Sequence, residues 1–248
     1  MADYKGIKGF KVQSLASDPS GPEGQVWYNT TGNVLKYQAL AGSWSSGGTF
    51  PGLGVQEYPG SAGTVTAALC FAGLTTSPGG GTYTKESYEY NGTAWSSETD
   101  MNRSPGAYTQ GLGTQTAALS GGYYRTSPAG TLTDSEEYNG AAWTTTNPTQ
   151  NAIGIRTGCG TSTAGLEAGG SDVTPSAPVG TCEDYNGTSW ANVASLNTPR
   201  DACATHNGTL TAAFTIGGRT PSLVDQVEEF NGTGWSETTD INTPKDGI

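Results

Sequence analysis

At 248 residues the chain is long enough for one large all-β domain or two small ones. It holds 38 glycines, only 13% charged residues, and a net charge of −11 from 11 basic and 22 acidic side chains. Glycine with abundant threonine and serine is the composition of short strands and tight turns. The acidity excludes the basic footprint of a nucleic-acid binder, and an anionic membrane surface would repel it. No 11-residue window keeps a 3.6-residue apolar spacing, no run approaches 18 apolar residues, and residues 1–11 lack the apolar core of a signal peptide.

In chain order, residues 10–15 read as a strand and Asp18-Pro19-Ser20-Gly21-Pro22 as a turn or linker. Residues 25–37 read as two strands around a turn, with a third short strand near Trp44, and Gly47-Gly48 closes this region. From Phe50 a period takes over. Tyr90-Asn91-Gly92-Thr93-Ala94-Trp95 returns as Tyr138-Asn139-Gly140-Ala141-Ala142-Trp143. It returns again as Tyr185-Asn186-Gly187-Thr188-Ser189-Trp190 and Phe230-Asn231-Gly232-Thr233-Gly234-Trp235. The tryptophans lie 48, 47 and 45 residues apart, and a looser copy ends at Trp44. A fixed period of this size is the mark of a repeat architecture.

Asn-Gly between extended residues is a hairpin signal, because both residues tolerate the positive φ of a type I′ turn. A two-residue loop would pair Tyr90 with Thr93; a four-residue loop would pair it with Trp95. Side chains alternate along a strand, so either register puts both rings on one face. Such an aromatic pair adds roughly 0.2–1 kcal/mol beyond its burial. Tyr90 with Trp95, Tyr138 with Trp143, Tyr185 with Trp190 and Phe230 with Trp235 are therefore expected to be the structural residues of the repeat.

A second landmark precedes each hairpin: Thr64-Val65-Thr66-Ala67-Ala68-Leu69, Thr114-Gln115-Thr116-Ala117-Ala118-Leu119, Thr161-Ser162-Thr163-Ala164-Gly165-Leu166 and Thr209-Leu210-Thr211-Ala212-Ala213-Phe214. Each is a turn into an apolar strand, and each strand ends in small residues (Ala72-Gly73, Gly121-Gly122, Gly169-Gly170, Gly217-Gly218) that would suit a crowded centre. A third landmark follows the tryptophan: Met101-Asn102-Arg103, Leu196-Asn197-Thr198-Pro199-Arg200 and Ile241-Asn242-Thr243-Pro244-Lys245. Each unit thus yields four strands, a to d. Four-stranded antiparallel sheets repeating every ~45–50 residues are expected to be propeller blades. The units fall at about 50–102, 103–151, 152–200 and 201–248. Residues 1–48 form an amino-terminal hairpin, either an attachment segment or a partial blade.

Little in the chain resembles catalytic machinery. His206 is the only histidine, so a histidine-based metal cluster within one chain is excluded; on strand a it is expected to pack or to hydrogen-bond. Cys70, Cys159, Cys182 and Cys203 lack metal spacing and do not follow the period, which reads as small apolar residues in strands. The acidic pairs Glu136-Glu137, Glu183-Asp184 and Glu228-Glu229 are adjacent, so their members point to opposite faces and cannot alone form facing carboxylates. One member of each would lie on the tryptophan face and meet Arg103, Arg200 or Lys245, tying strand or blade to its neighbour. The Asn-x-Ser/Thr sites, Asn91 among them, are explained as turns. Pro78-Gly79-Gly80-Gly81 is no phosphate loop, since no Gly-Lys-Ser/Thr follows. No catalytic residue, metal or cofactor is expected. Variation is concentrated between strands b and c, at 75–83, 123–131 and 171–179, as on binding scaffolds. Tyr123, Tyr124 and Arg125 form the candidate binding cluster there, because aromatic and arginine side chains anchor interfaces.

An apolar strand, Gly-Gly, an aromatic and a following tryptophan resemble the kelch repeat, a β-propeller blade. The resemblance covers about residues 50–245, although the five-residue step from Tyr to Trp is shorter than in that family. Kelch propellers include the copper enzyme galactose oxidase, whose site needs two histidines and a Tyr–Cys crosslink, so that activity does not carry over. Gly113-Thr114-Gln115-Thr116-Ala117-Ala118-Leu119 with Asn-Gly-x-x-Trp is similar to kelch-like repeats in structural proteins of marine bacteriophages. Pro22-Glu23-Gly24-Gln25-Val26-Trp27-Tyr28-Asn29 resembles the opening of phage virion and tail-appendage proteins. The resemblance implies a non-enzymatic virion protein, made in the host cytoplasm, presenting the propeller on a tail fibre, appendage or capsid. It would bind a host-surface glycan or virion neighbours, attach through its amino-terminal segment, act as a homo-oligomer, and enter neither nucleic acid nor membrane. The competing readings are a polysaccharide-degrading propeller, which needs two carboxylates roughly 5–10 Å apart in one cleft, and a cellular kelch adaptor. A fifth blade built from both termini would need strands a and b beyond Lys245, so the ring is expected to be five-bladed with help from residues 1–23, or part of a longer ring.

Overall fold

The computed structural model describes residues 13–17, 26–37, 48–51, 55–76, 81–103, 106, 108–126, 129–173 and 176–246. The chain divides into two compact units, Met1–Ser46 and Gly47–Ile248.

The first unit holds β1 (Gln13–Leu15), β2 (Val26–Asn29) and β3 (Val34–Tyr37) in one sheet. β2 and β3 are the expected hairpin, antiparallel with Asn29 opposite Val34, while β1 joins β2 in parallel. Asn29 shapes the turn by accepting the Gly32 amide at 2.7 Å. Trp27 is buried, whereas Tyr28 and its cross-strand partner Leu35 are exposed on the other face. The strand expected near Trp44 lies outside the described residues.

The second unit begins with β4 (Val55–Glu57), β5 (Gly60–Thr64), β6 (Ala67–Phe71), β7 (Leu74–Thr76), β8 (Thr82–Tyr83), β9 (Ser87–Tyr90) and β10 (Trp95–Ser97). It continues with β11 (Gln110–Thr114), β12 (Ala117–Thr126), β13 (Ala129–Tyr138) and β14 (Trp143–Thr145). The third repeat supplies β15 (Thr157–Thr161), β16 (Ala164–Ala168), β17 (Ser171–Val173), β18 (Ser176–Pro178), β19 (Cys182–Tyr185) and β20 (Trp190–Val193). The fourth supplies β21 (Ala204–Thr209), β22 (Ala212–Ile216), β23 (Val227–Phe230) and β24 (Trp235–Glu237). Among the described residues there is no helix, and none long and apolar enough to cross a membrane.

Each repeat is a four-stranded antiparallel meander: β5-β6-β9-β10, β11-β12-β13-β14, β15-β16-β19-β20 and β21-β22-β23-β24. The first strands pack side by side in the order β5, β11, β15, β21. Hydrophobic clusters lie between neighbouring sheets. Leu69, Phe71 and Met101 of the first repeat meet Tyr123, Tyr138 and Trp143 of the second. Leu112 and Leu119 meet Tyr185 and Trp190, and Leu166, Cys182 and Leu196 meet Phe230 and Trp235. Sheets stacked face to face through such clusters form a blade-like array, as the period predicts. The described residues do not form a closed ring.

Small residues do mark a close approach, between neighbouring sheets and on the first strands rather than at the ends of strand b. A Cβ on Gly111 would stand 2.3 Å from the Ser61 carbonyl oxygen, and one on Gly158 would stand 2.6 Å from Leu112. The glycines ending strand b answer to a different demand. Gly169 and Gly170 have φ of +61° and +110°, and Gly217 and Gly218 +60° and +104°. A side chain on Gly170 or Gly218 would also meet the carbonyl of the incoming linker at 2.6 Å. In the second repeat Tyr123 stands where the second glycine would be. Only Gly122 (φ +61°) is left-handed there, the break shrinks to a bulge, and β12 runs on to Thr126.

Candidate functional site

Chain direction sorts the connections onto two faces. Strands a and b meet in one turn and c and d in another, and these turns pack together: Gly92, Gly140, Gly187 and Gly232 each lie against Thr66, Thr116, Thr163 and Thr211 of their own sheet. The b–c hairpins and the linkers from d to the next a therefore share the opposite face. Asn-Gly turns have four residues, pairing Tyr90 with Trp95 and likewise in every repeat. Only the glycine, at φ +87° to +88°, is left-handed. The asparagine contributes its side chain instead: Asn139 Oδ1 accepts the amides of Ala141 at 3.0 Å and Ala142 at 2.9 Å. Of the two registers open from the sequence, the turns thus take the four-residue loop and not the two-residue type I′ turn.

The aromatic pairs are structural, with ring centroids 5.0 to 5.1 Å apart in all four sheets. They also join the sheets. Trp143 Nε1 donates to Ser87 Oγ of the preceding sheet at 2.9 Å, and Trp190 Nε1 to Ser135 Oγ at 3.1 Å. Tyr138 donates its hydroxyl proton to Glu89 at 3.0 Å.

The first member of each acidic pair faces inward, as expected, and clamps the linker from the preceding sheet. Glu136 accepts the amides of Asn102 and Arg103 at 2.9 and 3.0 Å, and Asn102 also donates to the Trp143 carbonyl. Glu183 accepts the amides of Gln150 and Asn151, and Glu228 those of Asn197 and Thr198. Arg200 is fully buried and reaches Glu228 at 3.1 Å. Arg103 pairs with Asp134 rather than with Glu136, which it meets only through its backbone. Arg156, which the pattern of acidic pairs did not flag, is buried between Glu183 at 2.7 Å and Glu167 at 3.2 Å.

The linkers end around a cleft of about 330 Å³. Each repeat contributes the residue two places before its first strand: Tyr58, Tyr108, Ile155 and Ala202, with φ of +56°, +57°, +56° and +48°. Such backbone is uncommon outside glycine and a marked outlier for β-branched isoleucine. No residue type is common to all four positions, so nothing in the sequence marks them as equivalent. Tyr58 and Tyr108 stack at the mouth, centroids 3.9 Å apart at 18°, and Tyr124 meets Tyr108 edge-on at 5.6 Å. Ser61, Thr109, Gln110, Arg156 and Thr157 line the walls beside Cys203.

The thiols and carboxylates nearest this face are shifted by burial. Burial pushes the Cys203 thiol up to about 11, with the Arg200 guanidinium only partly offsetting it, so the thiolate needed for nucleophilic attack is scarce at neutral pH. Cys159 and Cys182 are buried in strands and likewise pushed up to about 11. Cys203, by contrast, precedes its strand and borders the cleft. Glu167 and Glu183 are fully buried around Arg156, and neither lines the cleft. Burial raises the Glu167 carboxyl to about 8 against the pull of Arg156, with Glu183 adding to the rise. Among the described residues no group of three or more His, Cys, Asp or Glu is placed to hold a metal ion. His206 lies on β21, and its side chain is outside the described residues.

The expected cluster 123–125 sits on no loop. Tyr123 is fully buried between the first two sheets, its hydroxyl accepting from Ser120 at 3.3 Å, so its ring offers no binding surface. Tyr124 is half-buried and belongs to the aromatic group at the cleft. The Arg125 backbone pairs with Gly130, and its side chain lies outside the described residues. The b–c segments are hairpins: β12 with β13, β17 with β18, and β7 with both β8 and β4. Comparison with protein-family models found no matching family, and comparison with curated proteins found no significant match.

Proposed function

We propose that the chain is a non-enzymatic structural protein of a phage virion, a kelch-like β-propeller that presents its linker-and-hairpin face for attachment to a host-surface glycan. The cleft ringed by equivalent residues of all four repeats, with Tyr58 stacked on Tyr108 at its mouth, carries this reading. Stacked tyrosines above a polar-walled cleft suit a ligand with one apolar and one hydroxylated side. Thiols held protonated and buried carboxylates outside the cleft speak against turnover there. Residues 1–48 would join the protein to other virion components as a homo-oligomer. The exposed Tyr28 and Leu35 on one face of that sheet support a contact role. The virion origin rests on resemblance to phage repeats. A glycan array with the full chain, together with a pull-down against proteins of disrupted particles, tests the proposal. Binding in either is expected; silence in both removes attachment and assembly together.

A further inference from the structure

In the first three sheets the strand-b residues turned toward the following sheet, Leu69, Leu119 and Leu166, are fully buried, and Met101 and Leu196 of the linkers are buried as well. The fourth sheet carries the same face. Ala213 packs toward the third sheet, so by alternation Phe214 and Ile216 point away from it. Phe214 holds the leucines' register position, opposite Glu229 as Leu69 is opposite Glu89. Phe214, Ile216 and the linker residue Ile241 are only half-buried. The fourth linker is nonetheless set like the third. Ile241 donates its amide to the Asp225 carbonyl as Leu196 does to Gly180, and Lys245 to Val224 as Arg200 does to Val179. Gly218 donates to the Lys245 carbonyl as Gly170 does to that of Arg200. Asn242-Thr243-Pro244-Lys245 thus occupies the place of Asn197-Thr198-Pro199-Arg200, which Glu228 of the following sheet clamps through two amides and the guanidinium. Among the described residues no carboxylate meets the amides of Asn242 and Thr243, and Lys245 is exposed. Glu229 is exposed too, where Glu89 accepts the hydroxyl of Tyr138 from the next sheet.

Apolar surface, backbone donors, a cation and an acceptor therefore stand where a strand-c glutamate and tyrosine would complete them. The described sheets cannot provide these. Glu136, Glu183 and Glu228 already hold linkers, and in the first sheet Tyr88 replaces the glutamate beneath Phe50. A second copy would bring the same four sheets. We propose that this face of the fourth sheet docks one further sheet of the same type from a partner polypeptide, recognised by Glu-x-Tyr-Asn-Gly-x-x-Trp on its c–d hairpin. The inference goes beyond the attachment reading and does not depend on it.

The probe is the chain's own second c–d hairpin, residues 133–146, made as a backbone-cyclised peptide and titrated into the isotope-labelled full chain. It carries Glu136, Tyr138 and Trp143, and cyclisation removes much of the ordering cost that leaves a lone hairpin marginal. Binding in the millimolar range or tighter is expected, with amide shifts at Phe214, Ile216, Ile241 and Asn242. Affinity should fall tenfold or more with Glu136→Ala in the peptide or Phe214→Lys in the chain, and severalfold with Tyr138→Phe in the peptide. Asn242 is exposed, so Asn242→Ala should keep the parent melting temperature while losing affinity severalfold. It carries the decision if Phe214→Lys does not fold. No binding, equal binding of the Glu136→Ala peptide, or parental affinity in Asn242→Ala would overturn the docking face. Shifts at Leu69 and Met101 instead would mean that the peptide displaces the chain's own second sheet, and would overturn it too. So would a dimer in sedimentation that Phe214→Lys abolishes, because the face would then belong to a second copy.

Discussion

In each Asn-Gly turn one side-chain oxygen accepts two backbone amides while the following glycine takes the left-handed conformation. Asn139→Ala removes both acceptor bonds from an exposed turn, where water partly replaces them, and is expected to cost about 1 kcal/mol. Asn139→Asp keeps the acceptor and should lie within about 0.5 kcal/mol of the parent; urea denaturation of the two variants separates acceptor loss from a change in backbone preference. Glu167 is a residue of another kind. Unfolded, its carboxyl releases its proton near 4.5; folded, burial holds the proton up to about 8. Between those values the folded state binds more protons, so this residue makes stability fall as pH rises. Glu89, Asp184 and Asp201 are also raised by burial and act in the same direction, so the test is the difference between parent and variant. Glu167→Gln keeps an acceptor for Arg156 and has no proton to lose. Its melting temperature should match the parent's near pH 5 and exceed it near pH 8. A parent as stable as the variant at pH 8 would mean that Glu167 ionises at little cost.

At the scale of elements, the linker clamps differ in what they bury. Removing Glu228 leaves the Arg200 guanidinium fully buried without its carboxylate, and losing one partner of a buried pair costs about 3–5 kcal/mol. Glu136 holds only the amides of Asn102 and Arg103 and the Asn102 side chain, and both linker residues are exposed to water. Glu228→Ala should therefore destabilise more than Glu136→Ala, by about 1 kcal/mol or more, in chemical denaturation of the two variants. The acidic pairs were legible in the sequence because they recur with the period, and so was the inward direction of one member, because strand residues alternate. Arg156 was not legible: it recurs nowhere, and its partners lie 11 and 27 residues away. The same limit hid the true position of Tyr123. A tyrosine after Gly121-Gly122 reads as the start of a loop when the other repeats turn there. The turn, however, depends on a second left-handed residue, which Tyr123 does not supply, so the strand continues and the ring enters the core. The cleft was invisible for a related reason: its four equivalent positions share a backbone conformation but no side-chain type common to all four.

At the scale of the whole molecule, the stacked sheets raise the question of how the first one begins. In the later three sheets a buried glutamate on strand c needs a linker from the sheet before. In the first sheet Tyr88 stands at that position, and Phe50 packs on it at 4.6 Å and on Trp95 at 5.1 Å. An aromatic cap thus replaces the polar clamp, and the first sheet has no buried carboxylate waiting for a preceding partner. Gly47–Ile248 is compact in itself and contains this cap. Residues 47–248 alone are accordingly expected to fold cooperatively, with the β spectrum and near-parental melting temperature of the full chain. Phe50→Ala in the full chain should lower stability by about 1.5–3 kcal/mol, the cost of exposing one large apolar side chain and its neighbours. Circular dichroism melts of the two proteins check both halves of the argument. If residues 47–248 melted broadly while Phe50→Ala left the full chain unchanged, the cap would have to be sought in residues 1–46, and the stack would not begin at Phe50.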